Sequence, residues 1–230
     1  MVLYELRFLA VFSDLYNERF KVMVMRLVNS GLMALLAVIL LTQSGCLNEP
    51  KRISAPSIDA VAAGQEAMKL YDKNNDGKIS GAEFDKVPCL LMSLPIIKST
   101  KEKGITAADI TTRIKAWQQT KIGRIGSVNA MVTRNGKPLV GAVVKFVPEK
   151  FLGSDVPVCT GTAPTGSDGS AEITETVPAG EPKGVPPGYY RVEITMPDGS
   201  IPAKYNTQTI FGEEMYPDLR RSSGYNYDIK

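Results

Sequence analysis

Asp72-Lys73-Asn74-Asn75-Asp76-Gly77-Lys78-Ile79-Ser80-Gly81-Ala82-Glu83 is the stretch from which the rest of this 230-residue chain is read. Oxygen-bearing side chains alternate at Asp72, Asn74 and Asp76, a glycine comes next, and Glu83 closes the run. The spacing fits the pattern D-x-[DN]-x-[DN]-G-x5-E at every specified position. A hard divalent cation such as Ca2+ takes about six to eight oxygens. Asp72, Asn74 and Asp76 present side-chain oxygens, Lys78 its backbone carbonyl, Ser80 a hydroxyl that often acts through water, and Glu83 both carboxylate oxygens. Gly77 permits the sharp turn that this arrangement needs.

The flanks agree. Ile58, Val61, Met68 and Tyr71 recur near helical spacing and predict an entering helix over 58–71. Ser80 and Glu83 double as a capping box for an exiting helix that ends before Pro88. As a whole the segment is identified as an EF-hand. Such hands pair, and 90–109 reads as a partner that has lost its ion. Leu90, Leu91, Met92, Leu94, Ile96 and Ile97 form an apolar run interrupted by Pro95. With Ile105 set opposite Ile79 as the short strand contact between paired loops, positions 1, 3 and 5 become Lys98, Thr100 and Glu102. Most of the carboxylates are missing. Thr106 and Asp109 again make a capping box, opening a helix with Ile110, Ile114 and Trp117 on one face. The helical module therefore spans 58–120 and is expected to hold one Ca2+, in the first loop. Lys73 and Lys78 soften that site toward the weak, extracellular range of roughly 10⁻⁴–10⁻³ M.

Composition narrows the chemistry further. The chain has no His, which removes imidazole-based nucleophilic catalysis and His-built zinc sites. Three Cys cannot supply an all-thiolate zinc site. With 27 Lys plus Arg interleaved among 24 Asp plus Glu, there is no basic stripe for nucleic acid. Enzymatic use of Asp168, Glu172 and Glu175 is the remaining catalytic reading, and turn and strand-face positions explain all three more simply. No catalytic residue is assigned.

The first 45 residues are a leader. Residues 31–42 carry no charge and are too short for a bilayer span of roughly 20 residues, but they suit the apolar region of a secretory signal, with Arg26 before it. Gln43-Ser44-Gly45-Cys46 comes directly after and resembles a bacterial lipoprotein lipobox. Gln43 departs from the leucine usual there. The resemblance implies that Cys46 is lipidated and anchors the chain to a membrane. Leu47 after it leans toward the outer membrane where the cell has one. A start at Met23 or Met25 gives a leader of ordinary length; the alternative makes Leu6, Phe8, Leu9, Val11 and Phe12 a membrane-surface segment. Residues 46–57 read as a tether.

From Gly126 the period changes from helical to short β-branched runs parted by Gly, Pro and Asn. Strands are expected at 126–134, 142–147, 160–163, 171–177, 188–194, 201–205 and 224–229, with 207–210 a further candidate. Asn135-Gly136 is a hairpin turn. Gly126-Ser127-Val128, Asn135-Gly136-Lys137-Pro138-Leu139, Asp168-Gly169-Ser170-Ala171, Pro187-Gly188-Tyr189-Tyr190-Arg191 and Ile201-Pro202-Ala203-Lys204-Tyr205 together resemble carboxypeptidase regulatory-like domains. That resemblance covers 124–230 and implies a non-catalytic, seven-stranded, transthyretin-like Greek-key sandwich. The fold class expected is α+β in two domains, a helical pair and then an all-β sandwich.

Tyr189, Tyr190, Tyr205, Tyr216, Tyr225 and Tyr227 either fill the sandwich core or form a platform for glycans. Cys89 and Cys159 either form a disulfide that clamps the two domains or remain buried thiols. The function expected is that of a Ca2+-binding, non-catalytic envelope lipoprotein whose partners are the membrane and an envelope protein. The alternative is a cell-wall glycan binder using the tyrosine face.

Overall fold

The computed structural model describes residues 21, 23, 53–126, 128–177, 181–219 and 224–230. The leader's apolar run, Cys46 and the tether as far as residue 52 lie outside the described residues. The chain divides into two compact units, Met1–Lys51 and Arg52–Lys230. No helix among the described residues is long and apolar enough to cross a membrane. Helical segment and sheet both belong to the second unit.

Helix α1 (Ala60–Tyr71) starts where Asp59 accepts hydrogen bonds from the Val61 and Ala62 amides, both at 3.0 Å. These bonds satisfy two of the amide donors that a helix start leaves without partners. Its buried face is made of small residues, Ala60, Ala63, Gly64 and Ala67. Helix α2 (Ala107–Gln119) opens on the Thr106–Asp109 capping box and buries Ile110, Arg113, Ile114 and Trp117. The two helices approach closely at Gly64, where a β-carbon would stand 2.5 Å from the Ala107 carbonyl oxygen. Between them lie two 3-10 segments, Gly81–Lys86 and Pro88–Ser93. The Ser80–Glu83 capping box forms as expected, but it opens a 3-10 helix, not an α-helix. Six residues before Pro88 are too few to propagate a cooperative α-helix, and Pro88 has no amide to extend one.

The rest of the unit is built on eight strands: β1 (Val128–Arg134), β2 (Lys137–Pro138), β3 (Val143–Pro148), β4 (Cys159–Gly161), β5 (Ser170–Thr174), β6 (Gly188–Thr195), β7 (Gly212–Met215) and β8 (Tyr225–Ile229). They make one continuous sheet in the order β2-β1-β5-β4-β3-β6-β7, with β8 added parallel to β1 and every other pair antiparallel. The Asn135-Gly136 turn lies between β1 and β2 with both residues at positive φ, 51° and 75°. The sheet curls until its ends meet: the Tyr227 hydroxyl of β8 donates to Glu213 of β7 at 3.0 Å, and the Phe211 and Tyr227 rings are 5.1 Å apart.

Two expected strands are absent. Residues 201–205 are irregular with a 3-10 turn at Ala203–Tyr205, and 207–210 is a loop. The strand instead runs through Gly212–Met215, whose two glutamates are both buried. β1 alternates buried and exposed residues, as a strand with one packed face must. Gly188, Tyr189 and Tyr190 of β6 are buried in succession, because the helical segment covers the face that the rest of the strand leaves partly open.

Candidate metal centre

Loop 72–83 leaves α1 at Asp72, whose amide still bonds to the Met68 carbonyl at 2.9 Å. Asn75 (φ 57°) and Gly77 (φ 84°) take left-handed conformations that curl the backbone around the acidic side chains. Asp72 Oδ1 accepts from the Asp76 amide at 3.2 Å and Oδ2 from the Gly77 amide at 3.0 Å. Asn74 Oδ1 accepts from the Asp76 amide and Asp76 Oδ1 from the Lys78 amide, at 3.0 and 3.1 Å. Each side chain is thus tied into the turn that it begins.

Glu83 reaches back across the whole loop. Its Oε2 accepts from the Ser80 amide at 2.9 Å, and its Oε1 from the Lys73 and Asn74 amides at 2.7 and 3.3 Å. The Ser80 amide, and after it that of Lys73, holds its carboxyl below the usual carboxylate range. Ile79, fully buried, pairs with Ile105 through two backbone hydrogen bonds of 2.8 and 2.9 Å. That bridge is the contact expected from the sequence. Lys101 of the second loop pairs with Asp85 at 3.2 Å, and its carbonyl accepts from the Gly81 amide at 2.9 Å.

The loop therefore brings Asp72, Asn74, Asp76 and Glu83 onto one turn, with Ser80 and the Lys78 carbonyl in the same run. Among the described residues no three Cys, Asp or Glu side chains are gathered as a metal-holding group, and the Glu83 carboxylate rests on amides. The donor set is all oxygen, and its closing carboxylate already lies across the loop mouth. Such a set fits a hard, oxygen-seeking cation.

Two buried carboxylates missed in the sequence join this segment to the sheet. Glu149, directly after β3 and 1% exposed, accepts the Tyr71 hydroxyl at 2.7 Å and the Cys89 thiol at 3.6 Å. Burial pushes its carboxyl above the usual range. Glu214 of β7, 2% exposed, accepts from Ser93 Oγ at 2.5 Å, from Trp117 Nε1 at 3.1 Å and from Arg113 Nε. Burial pushes the Glu214 carboxyl up, and Arg113 pulls it back only in part. Arg113 also grips Asp218 with two bonds of 2.6 and 2.7 Å and lies over the Tyr216 ring, 4.9 Å from its centre. Burial alone would weaken its proton affinity, but Asp218 and Glu214 more than offset this and raise it. One sequence signal stood available for Glu214: an acid pair set between Phe211-Gly212 and Met215-Tyr216.

At two points the structure agrees with one of the alternatives left open by the sequence. Cys89 and Cys159 are not bonded; both are buried free thiols. Burial, then the nearby Glu149 charge, pushes the Cys89 thiol up, while burial and Glu175 push Cys159 up to about 12. The tyrosines form no exposed platform. Tyr189, Tyr190, Tyr205 and Tyr227 are buried, and Tyr216 and Tyr225 pack partly buried against the core. Of the acids weighed for catalysis, Asp168 caps a turn by accepting from the Ser170 amide at 2.9 Å, and Glu175 is paired with Arg124. A groove of about 660 Å³ runs between α1 and the 150–155 turn, lined by Glu66, Lys69, Lys150 and Asp155 among others, and contains none of the loop's donors. Comparison with protein-family models, curated protein sequences and solved structures gives no match.

Proposed function

We propose that the chain is a Ca2+-binding, non-catalytic lipoprotein of the cell envelope, built from an EF-hand pair with a silent second loop and a transthyretin-like β module. The reading rests above all on one observation: Asp72, Asn74 and Asp76 each accept amides of one turn of loop 72–83, while Glu83 spans it to the Lys73 amide at 2.7 Å. The Ile79–Ile105 bridge supports the pairing of two loops. Ca2+ would be held by the oxygens of Asp72, Asn74, Asp76, Lys78, Ser80 and Glu83, and would supply a divalent charge that neutralises the loop's carboxylates. The chain's own residues do the positioning. Asn75 and Gly77 set the curl, and Ile79 anchors the loop's centre in the core.

Export and lipid anchoring through Cys46 belong to the same proposal, carried by the lipobox-like run 43–46. A lipid-anchored protein outside the cytosol meets millimolar Ca2+ in many media, which suits constitutive loading by a weak site. The partner on this reading is an envelope protein. The buried tyrosines withdraw the support that the glycan alternative drew from them.

Calorimetric titration of the purified chain with CaCl2 tests the proposal. One site with a dissociation constant of roughly 10⁻⁴–10⁻³ M is expected. It should be abolished by Asp72→Ala and by Glu83→Gln. An absence of Ca2+ binding at millimolar concentration overturns the reading, and submicromolar binding overturns its weak-site part.

A further inference from the structure

We infer that an ion held in loop 72–83 stabilises the far strands of the sheet as strongly as the loop itself, because both ends of the loop are built into one buried polar seam. The inference rests on the Ca2+ reading of that loop and names what the ion does there.

Tyr71 immediately precedes Asp72, and its hydroxyl is the 2.7 Å donor to Glu149 on the sheet. Cys89, six residues beyond Glu83, reaches the other oxygen of the same carboxylate at 3.6 Å. One buried group on the sheet therefore holds the chain on both sides of the candidate ion. The backbone beyond the loop is seated as closely. At Gly212 of β7 a β-carbon would stand 2.2 Å from the Cys89 amide nitrogen and 2.7 Å from the Pro88 carbonyl carbon, so main chain lies directly on main chain. Farther along, Ser93 and α2 converge on Glu214.

Lifting the helical segment off the sheet would break the bonds of Tyr71 and Cys89 to Glu149 and those of Ser93, Arg113 and Trp117 to Glu214 together. Losing several buried hydrogen bonds to carboxylates at once costs more than breaking an ordinary contact. Partial opening is therefore disfavoured against opening of the whole body, and protection gained at the loop has to spread to every amide that opens with it. A ligand that binds only the closed form slows such opening by the factor 1 + [L]/Kd. That factor is known once Kd is measured, so the expectation has no adjustable quantity.

β5 is the reporter strand. It pairs with β1 and β4, and β4 and β3 separate it from β6, which the helical segment covers. Amide hydrogen exchange of the full chain, read by mass spectrometry, is compared without Ca2+ and with free Ca2+ at ten times the calorimetric Kd. About an elevenfold slowing is expected in the 170–174 peptide as well as in 72–83. Tyr71→Phe and, separately, Ser93→Ala keep every loop donor. Each should still bind Ca2+, and with free Ca2+ reset to ten times that variant's own Kd the slowing in 170–174 falls below that in 72–83. Normal Ca2+ binding with protection confined to 72–83 in the unaltered chain overturns the inference and leaves the Ca2+ reading standing. Equal slowing of both peptides in both variants overturns the seam as the route. A chain that binds no Ca2+ removes the Ca2+ reading, and this inference with it.

Discussion

Replacing Arg113 by Met tests whether the seam is held by charge or by shape. Methionine nearly matches the aliphatic length of arginine, so packing against Tyr216 and α2 is largely kept while the guanidinium is lost. Three interactions go with it: the bond to Glu214, the two bonds to Asp218 and the cation–π contact with Tyr216. The Asp218 side chain is 43% exposed, so its share is screened and worth at most about 1 kcal/mol. Glu214 dominates. Its side chain is fully buried, and it would keep only the neutral donors Ser93 and Trp117. Removing one partner of a buried pair costs about 3–5 kcal/mol, because the other is left as an uncompensated charge. For a unit of this size, that corresponds to about 6–20 °C in thermal midpoint.

Urea denaturation monitored by the fluorescence of the single Trp, Trp117, reads the cost directly. Adding Glu214→Gln removes the stranded charge, and its amide oxygen can still accept from Ser93 or Trp117. The double variant should therefore be more stable than Arg113→Met alone. The pH dependence has a definite sign. Without Arg113 the folded carboxyl of Glu214 rises further above its unfolded value of about 4.3. Stability linked to that proton is complete below the unfolded value and is lost as pH rises through the folded one. The deficit of Arg113→Met should accordingly be larger at pH 8 than at pH 5. A cost under about 1 kcal/mol, or a double variant that loses the sum of both single costs, would refute the ion-paired seam.

Gly212→Ala should destabilise by about 3 kcal/mol or more in the same assay, since the added carbon meets main chain of Pro88 and Cys89 that no side-chain rotation can move. Glu149 has its folded carboxyl raised by burial, so its contribution is lost as pH rises above the unfolded value of about 4.3. Glu149→Gln should flatten the fall in thermal midpoint between pH 5 and 8; an unchanged slope would show that the carboxyl does not titrate there. Both buried thiols should resist an aromatic disulfide reagent in the folded chain and react fully in denaturant without reductant. Reaction at neither cysteine in denaturant would instead restore the Cys89–Cys159 disulfide.

The features legible in the sequence were local. The Asp72–Glu83 loop, the two capping boxes at Ser80 and Thr106, and Asn135-Gly136 each declare themselves within about a dozen residues. Side chains there bond to their own backbone, so neighbouring letters carry the information. The pairing of Ile79 with Ile105 was also legible, because matching two loops position by position needs only an internal repeat. The change of period at Gly126 marks a change of secondary structure, and it invites a domain boundary at the same place. Those are separate facts: the step from helix to strand is a backbone property, whereas a boundary depends on the contacts that cross it. Here Glu214 meets partners 97, 101 and 121 residues earlier in the chain. Without those partners Glu213-Glu214 reads as a solvated acidic pair. Strand β7 was therefore missed, and 207–210 was chosen in its place.

The seam's polar character has its own test. Buried ion pairs are often no more stabilising than apolar side chains of equal volume, so stability alone does not explain Ser93, Arg113 and Glu214. The quality that hydrogen bonds add to apolar packing is direction. Ser93 sits 2.5 Å from Glu214 and 2.6 Å from the Tyr189 hydroxyl, which fixes where the Pro88–Ser93 segment lies on β6 and β7. That segment comes directly after the turn carrying Glu83, so its position sets where the closing carboxylate stands relative to Asp72. The triple variant Ser93→Ala, Arg113→Met, Glu214→Leu should then lie within about 1 kcal/mol of the unaltered chain, or above it. It should nonetheless bind Ca2+ more weakly by calorimetry, because only a fraction of its molecules would hold the loop ends in register, and the apparent dissociation constant rises by the inverse of that fraction. Stability and affinity that both remain at their original values would make the seam ordinary packing. Stability preserved with affinity lost would make it the device that sets the loop's geometry.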